Sequence, residues 1–121
     1  MGSKKTLVIG ASANPTRYSY IAIQSLREYG HPVVALAKRP GHVADVDILT
    51  EFPENEDIHT VTMYVGPKNQ PEYQQLLLDL NPERVIFNPG TENIDLIVAL
   101  ETSGIEAIEG CTLVMLNTGY Y

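Results

Sequence analysis

One run of residues determines how this chain folds: Leu7-Val8-Ile9-Gly10-Ala11-Ser12-Ala13-Asn14-Pro15-Thr16-Arg17-Tyr18-Ser19-Tyr20. Three apolar residues lead into a glycine, which is typical of a strand buried on both faces of a parallel sheet. Gly10 permits a tight exit from that strand because it has no Cβ. The N–H groups of such a loop and the N-terminus of the next helix converge where a phosphate can bind. The run therefore predicts a phosphate-binding loop at the start of a small nucleotide-binding fold.

The loop matches the dinucleotide-binding fingerprint only in part. That fingerprint places three glycines as G-x-G-x-x-G. Here Gly10 is followed by Ser12 and Pro15 at the other two places. On its own, the loop fits an ordinary strand-to-helix turn of any α/β domain equally well.

Strand and helix patterns alternate along the chain. Strands are predicted at about 5–10, 33–37, 47–50, 60–65 and 84–88, with weaker candidates at 105–108 and 112–116, and helices at about 19–30, 71–80 and 92–103. Ser19 and Thr91 are the expected N-caps, and 47–50 is the expected edge strand. We predict an α/β fold: a single Rossmann-like domain over residues 1–121, whose mostly parallel, five- to six-stranded sheet has helices on both faces.

Composition excludes several classes of protein. The single cysteine excludes an internal disulfide framework, and the three histidines lack the spacing of metal ligands, so no metal site is predicted. The net charge of −7 disfavours a nucleic-acid partner, because a phosphate backbone requires a basic surface. No apolar run approaches the roughly 20 residues of a membrane span, and no signal peptide opens the chain. A cytoplasmic location is expected.

The charges are unevenly distributed. Three long stretches contain no Asp or Glu, yet they carry seven of the eight Lys and Arg residues. The stretches are 1–27, 29–44 and 58–71, and their cations include Arg17, Lys38, Arg39 and Lys68. Screening over about 8 Å at physiological salt lets such a local patch dominate over distant acids. Ligands of parallel sheets bind beyond the carboxyl ends of the strands, and three of the predicted loops there are acid-free. This favours a phosphate-bearing ligand.

The end of the second predicted strand discriminates between ligands. A domain that binds NAD has a carboxylate there to accept hydrogen bonds from the ribose, whereas this chain has Ala37-Lys38-Arg39. Two cations fit a phosphate on the ribose, as in NADP or coenzyme A, and a guanidinium can bind it with two hydrogen bonds. These residues do not separate the two ligands, and a solvated loop is a third interpretation.

The first loop also resembles a known family. Residues 8–20 resemble the V-G-A-S-x-N-P-x-R-x-S-Y signature of the small, stand-alone CoA-binding domain proteins. Those proteins are similar to the amino-terminal domain of the succinyl-CoA synthetase α subunit. Looser matches at Gly30, Phe52-Pro53, Asn88-Pro89-Gly90 and Cys111 extend the resemblance over nearly the whole chain. It implies a cofactor, coenzyme A or an acyl-CoA, but no reaction.

The resemblance also implies a set of cofactor-binding residues. Residues 10–14 would contact the phosphates, Arg39 with Lys38 would hold the phosphate on the adenosine side, and 65–68 would flank the adenine or the pantetheine. The full set is Gly10, Ala11, Ser12, Ala13, Asn14, Pro15, Arg17, Ser19, Tyr20, Ala37, Lys38, Arg39, Val65, Gly66, Lys68, Asn88 and Gly90. Ala37-Lys38 replaces the family's N-P pair, and Val65 replaces an arginine. These departures make a partner-binding domain with a decayed nucleotide site an alternative.

The chain shows no catalytic pattern. Ser12 and Ser19 have no evident base and orienting acid. His31 is expected to connect a helix to a strand, and Cys111 to be a small buried hydrophobe. A non-catalytic binding or accessory module for a small nucleotide ligand, acting without nucleic acid or membrane and compatible with a homo-oligomer, is therefore favoured over an enzyme. The alternative enzyme is an NADP-linked oxidoreductase. Residues 120–121 are expected to pack on a partner subunit or to form a disordered tail.

Overall fold

The computed structural model describes residues 2–53 and 55–121, and it confirms a single α/β domain. The strands are β1 (Thr6–Ile9), β2 (Val33–Leu36), β3 (Gly41–Val43), β4 (Val46–Leu49), β5 (Thr60–Met63), β6 (Arg84–Phe87) and β7 (Glu106–Glu109). The helices are α1 (Tyr18–Glu28), α2 (Pro71–Leu80), α3 (Ile94–Thr102) and α4 (Thr112–Thr118). A 3₁₀ turn, Pro67–Asn69, precedes α2.

The strands of the described residues form one seven-stranded sheet in the order β3-β4-β2-β1-β5-β6-β7. Neighbours are parallel except for β3 and β4, which form an antiparallel hairpin at one edge. At the centre, Thr6 of β1 pairs with Val33 of β2 on one side and with Thr60 of β5 on the other. The strand order therefore reverses at β1. Its carboxyl end is the switch point, where open α/β sheets bind ligands.

Helices cover both faces of the sheet, as predicted. Leu7 and Ile9 are fully buried in the core that the sheet shares with α2 and α3. Val8 is fully buried on the opposite face, in the core shared with α1 and α4. Alternate residues of a strand point to opposite faces of the sheet. Burial of apolar surface stabilises the folded state by about 25 cal/mol per Å². Both cores thus hold β1, and with it the loop that follows, in a fixed position.

The sheet has more strands than predicted because of the β3–β4 hairpin. Val43 pairs with Val46, and the two residues between them turn the chain, with Ala44 at a φ of 55°. A positive φ usually requires Gly, Asn or Asp, so Ala44 gives no sequence signal for this turn. The predicted strand at 47–50 exists as β4, but its placement at the edge is wrong because β3 lies outside it.

The last predicted strand, 112–116, is wrong, because these residues form helix α4. The β-branched Thr112 and Val114 favour a strand locally. However, Thr112 and Leu116 lie four residues apart and are both buried, so one face of a helix packs on the sheet. The burial of that face overrides the local preference. The weaker candidate at 105–108 is confirmed as β7.

Two predicted N-caps are also wrong. Arg17 rather than Ser19 occupies the N-cap of α1. Asn93 rather than Thr91 caps α3, where its side-chain oxygen accepts a hydrogen bond from the Leu96 N–H. The Thr91 hydroxyl instead donates to the Asn88 carbonyl at 2.8 Å and stabilises the turn after β6.

The chain ends in an ordered aromatic contact. The Tyr121 ring centroid lies 4.6 Å from the guanidinium carbon of Arg84 and 4.9 Å from the His31 ring centroid, and the Tyr121 hydroxyl hydrogen-bonds to Thr6. The interpretation as a disordered tail is therefore wrong for Tyr121, and packing on a partner subunit stays a prediction. Tyr120 is 78% exposed. His31 lies between α1 and β2, as predicted.

Candidate functional site

The loop after β1 is held tightly against the strand beside it. Gly10 has a φ of 89°, and a Cβ placed there would lie 2.8 Å from Cγ2 of Val65 and 3.0 Å from the carbonyl carbon of Tyr64. The N–H groups of Gly10 and Ala11 both donate to the Leu36 carbonyl, at 2.9 and 3.2 Å. Glycine is therefore required at position 10 both by the left-handed backbone and by the close approach of β5.

The shape of the loop depends on Asn14. Its side-chain oxygen accepts hydrogen bonds from the N–H of Thr16 at 3.0 Å and from the Thr16 hydroxyl at 2.8 Å. Its carbonyl accepts from the N–H of Arg17, and its own N–H donates to the Ser12 hydroxyl oxygen. Asn14 thus forms an Asx turn that leads the chain into α1. The Asn14 side chain acts on the loop itself, which the sequence did not predict.

The N–H groups that remain for a ligand are fewer than the sequence suggests. Those of Gly10, Ala11 and Asn14 have acceptors within the protein. Within residues 2–53 and 55–121, the N–H groups of Ser12 and Ala13 have no acceptor. Buried or ligand-facing N–H groups require a partner, so these two are the donors in the loop that an anion can engage.

A cleft of about 780 Å³ opens beside this loop at the carboxyl edge of the sheet. We call it the main lobe. It is lined by the loop, by the ends of β2 and β5 and by the start of α2: Gly10, Ala11, Ser12, Ala13, Asn14, Ala37, Lys38, Arg39, Pro40, Tyr64, Val65, Gly66, Asn69, Glu72 and Tyr73. The volume lies in the range of ligand sites. The structure therefore brings together most of the residues that the sequence assigned to the cofactor.

The two cations at the end of β2 differ in their surroundings. Lys38 forms an ion pair with Glu72, and this carboxylate raises the pKa of the Lys38 ammonium. Arg39 is exposed, and no carboxylate in the described part of the chain pairs with its guanidinium. A guanidinium without a protein partner can bind a phosphate with two hydrogen bonds.

A second cavity of about 570 Å³, the side lobe, lies across the loop. Four residues line both lobes: Gly10, Ala11, Ser12 and Tyr64. The side lobe is otherwise lined by Thr16, Arg17, Tyr18, Ser19, Pro89 and Thr91. Burial raises the pKa of the Tyr64 hydroxyl to about 12, so this group stays protonated near neutral pH. The loop forms the boundary between two lobes that together suit an extended ligand.

Several predicted residues lie outside these lobes. Asn88 is buried, where its side-chain nitrogen donates to the Thr62 hydroxyl and the Met63 carbonyl, and its oxygen accepts from the Thr112 N–H. Lys68 lines a separate cavity near the starts of α2 and α3. Pro15, Tyr20 and Gly90 line neither lobe. Asn88 connects β5, β6 and α4, and this structural role explains why an amide stands there.

The sequence missed residues of the main lobe that come from the loop after β2, the end of β5, the 3₁₀ turn and the start of α2. These are Pro40, Tyr64, Asn69, Glu72 and Tyr73. The only signal for those at α2 was that a helix following a parallel strand begins at the carboxyl edge of the sheet. That rule points to the first turn of α2 without saying which of its side chains faces the loop.

The described residues contain no group of three or more His, Cys, Asp or Glu side chains that could hold a metal ion. Cys111 is half-buried at the N-cap of α4 rather than in a core. Among the helices in 2–53 and 55–121, none has the length and apolar character needed to cross a membrane.

A family model and a solved structure match almost the whole of this chain. The model of a family described as "CoA binding domain" matches residues 4–117. The crystal structure of an uncharacterized protein is 43% identical, with a TM-score of 0.96 and coverage of 100% of both chains. A search of curated proteins found no match.

More distant structures share the fold alone. A hypothetical protein from Pyrococcus horikoshii OT3 is 22% identical, with a TM-score of 0.87, and the match covers 96% of this chain and 83% of that one. A protein from Thermus thermophilus, described as cell-free ID.343, is 19% identical, with a TM-score of 0.87 and coverage of 98% and 91%. These likenesses support the Rossmann-like architecture.

Proposed function

This chain belongs to the CoA-binding domain family, and we propose that it binds coenzyme A or an acyl-CoA across the loop between its two lobes. Coenzyme A has a 3′-phosphorylated adenosine, a pyrophosphate and a long pantetheine arm. Its charged centre would lie on the loop, with one end of the molecule in each lobe. Family membership supports CoA binding in general, and the assignment to individual residues is our proposal.

The observation that carries the proposal is the position of the unpaired N–H groups. Ser12 and Ala13 offer these donors at the switch point, and Ser12 lines both lobes. The N-terminus of α1 begins at Tyr18 and adds its partial positive charge to the side lobe. A pyrophosphate at this boundary receives hydrogen bonds without displacing any that the protein already makes.

The adenosine end fits the main lobe. Arg39 is positioned at the end of β2, where the ribose of a ligand in this kind of fold lies. Tyr73 at the base of α2 offers an aromatic surface in the same lobe. The pantetheine arm would then extend through the side lobe, past Arg17 and Tyr18. In this arrangement the guanidinium of Arg39 binds the 3′-phosphate.

The lining of the two lobes favours a binding or accessory module over an enzyme. Among the described residues that line them there is no histidine or cysteine, and the single carboxylate, Glu72, is paired with Lys38. Histidine, cysteine and free carboxylate groups most often supply the general base or the activating partner of a nucleophile. This lining therefore favours ligand binding over catalysis.

Thermal unfolding with four ligands tests the proposal. The chain is melted with saturating CoA, dephospho-CoA, NADP or NAD, since a ligand that binds only the native state raises the melting temperature. CoA is expected to stabilise most and dephospho-CoA less. The proposal is overturned if CoA gives no shift, or if removal of the ribose phosphate changes nothing.

A second candidate, an NADP-linked oxidoreductase, is favoured by one observation. The unpaired Arg39 at the end of β2 fits a 2′-phosphate as well as a 3′-phosphate. Stronger stabilisation by NADP than by CoA would establish this alternative. If none of the four ligands shifts the melting temperature, the reading of a decayed nucleotide site is favoured instead.

A further inference from the structure

The main lobe contains a carboxylate beside its two cations. Glu72, in the first turn of α2, forms an ion pair with Lys38 at the end of β2, 34 residues away in the chain. In the described lining of both lobes, Glu72 is the sole acidic residue. An anionic ligand in the main lobe therefore meets one cation that already has a partner and one that does not.

The ion pair is open to solvent. The side chains of Lys38 and Glu72 are 73% and 45% exposed. Exposed ion pairs are weak, so a phosphate entering the lobe can compete with Glu72 for Lys38. The carboxylate would also repel a phosphate bound in this lobe, because both groups are negative.

Resting on the proposed function, we infer that Glu72 sets how strongly this site prefers a ligand that carries a phosphate on its ribose. While Glu72 holds Lys38, the preference depends on Arg39 alone. When the pair opens, both cations face the phosphate. Glu72 is thus a specificity-determining residue that limits the selectivity of the site instead of contributing to it.

The substitution Glu72→Gln separates charge from size. The amide has nearly the same shape but neither holds Lys38 as an ion nor repels a phosphate. Removal of one charge a few ångströms from the phosphate, in a solvated cleft, is expected to change affinity by about threefold to tenfold. Dephospho-CoA lacks that phosphate, so its affinity is expected to stay within about twofold.

The experiment is isothermal titration of the whole chain with CoA and with dephospho-CoA. The measured quantity is the dissociation constant for dephospho-CoA divided by that for CoA. Changes that affect both ligands equally cancel in this ratio. Glu72→Gln is expected to raise the preference for CoA by about threefold to tenfold. Glu83→Gln is the matched control, because Glu83 is exposed before β6 at the opposite edge of the sheet and its loss changes the net charge equally. The control is expected to leave the ratio unchanged.

A double-mutant cycle tests whether Glu72 acts through Lys38. In the native background, Lys38→Ala is expected to lower the ratio by less than about twofold, because Lys38 is engaged by Glu72. In the Glu72→Gln background, the same change is expected to lower it by threefold or more. Equal effects in both backgrounds overturn the inference.

The outcomes also separate the inference from the proposed function. If the native chain binds both ligands and Glu72→Gln leaves the ratio unchanged, the inference alone is overturned. If the native chain binds neither ligand, the proposed function fails and the inference fails with it. The melting temperature of each variant without ligand is recorded, so that a loss of folding is not mistaken for a loss of affinity.

Discussion

Cations at the two ends of the sheet differ in their contacts. We call the end where the parallel strands begin the amino edge, and the end where they finish the carboxyl edge. At the amino edge, Lys4 donates to the Tyr121 carbonyl at 3.0 Å, and Arg84 donates from Nε to the Thr60 hydroxyl at 2.9 Å beneath the Tyr121 ring. At the carboxyl edge, Arg39 is exposed, and within the described chain it has no carboxylate partner. Both ends carry cations, but Arg84 is buried beneath a ring, whereas Arg39 is open to solvent.

This difference shows why charge alone does not locate a binding site. A cation that is bonded to protein oxygens or covered by an aromatic ring stabilises the fold and is shielded from a ligand, even though Nη2 of Arg84 has no partner among the described residues. A cation or N–H group left without a protein partner at a switch point is available to a ligand. The contacts at the amino edge therefore stabilise the fold, and the carboxyl edge is the candidate site.

The largest effect is expected at the carboxyl edge, from Gly10→Ala. This substitution is expected to lower the free energy of unfolding by about 2–4 kcal/mol. The alanine Cβ would lie 2.8 Å from Val65 in a left-handed backbone. Gly90→Ala is the matched control: Gly90 has a similar φ of 91°, but nothing lies within 4 Å of its Cβ position. It is expected to cost about 1 kcal/mol, from backbone strain alone. Equal shifts of the urea midpoint in the two variants would show that the close approach of β5 is unimportant.

The stabilising role of the amino-edge contacts is tested by Tyr121→Ala. The variant is expected to lose about 2–3 kcal/mol, because the ring leaves Arg84 and His31 and the hydroxyl leaves Thr6. CoA affinity is expected to be unchanged, since the carboxyl edge is untouched. Tyr120→Ala, at an exposed neighbour, is expected to have little effect on the urea midpoint. A Tyr121 variant that binds CoA tenfold more weakly would contradict the separation of the two edges.

The availability of the Arg39 guanidinium to a ligand is tested by Arg39→Ala. CoA is expected to bind about tenfold more weakly, because a charge-assisted pair with its 3′-phosphate is lost. Dephospho-CoA is expected to bind nearly as before, and thermal stability is expected to remain unchanged because the side chain has no partner in the described structure. Titration calorimetry with both ligands measures this, and equal losses for the two would contradict the assigned role of Arg39.

The smallest expected effect concerns pH at the amino edge. Burial, Lys4 and Arg84 lower the pKa of His31 below its ordinary value of 6.5, and Nδ1 of the neutral ring accepts a hydrogen bond from the Lys4 N–H at 2.9 Å. The unfolded chain therefore takes up the proton first as the pH falls. The stability that neutral His31 provides is present above pH 6.5 and is lost as the pH falls through the lowered pKa.

His31→Asn, which keeps an acceptor, is expected to reduce the drop in urea midpoint between pH 7 and pH 5. His42→Gln is the contrasting control, because Asp47 raises the pKa of the exposed His42. Its contribution has the opposite sign, being present at low pH and lost as the pH rises. An unchanged pH profile in His31→Asn would mean that the ring is not a source of acid sensitivity.

Much of the architecture could be predicted from local pattern. The apolar run before Gly10 predicted the central strand, and the alternation of strands and helices predicted the Rossmann-like class, which is confirmed. The errors fell where a tertiary contact overrode local preference. Residues 112–116 form a helix because Thr112 and Leu116 pack on the sheet, and β3 exists because Ala44 accepts a positive φ.

The site was predicted unevenly for a related reason. Ser12 and Arg39 follow a strand directly and line the lobes, because the carboxyl ends of parallel strands lie together. Glu72 and Tyr73 were missed because a helix reaches the lobe with only some of its side chains. Asn88 lies outside both lobes, and the sequence could not show this because an amide after a strand suits a ligand and a buried hydrogen-bond network equally well.

By itself, the sequence determined the class of the fold, the place of the glycine loop after β1 and the cations at the carboxyl edge, since hydrophobic period, glycine position and charge order are local properties. The tertiary structure alone decided which donors remain available. Lys38 meets a partner 34 residues away, and Tyr121 meets Thr6 across 115 residues. Such pairings depend on the strand order and on how each helix is rotated against the sheet, and no local pattern records either.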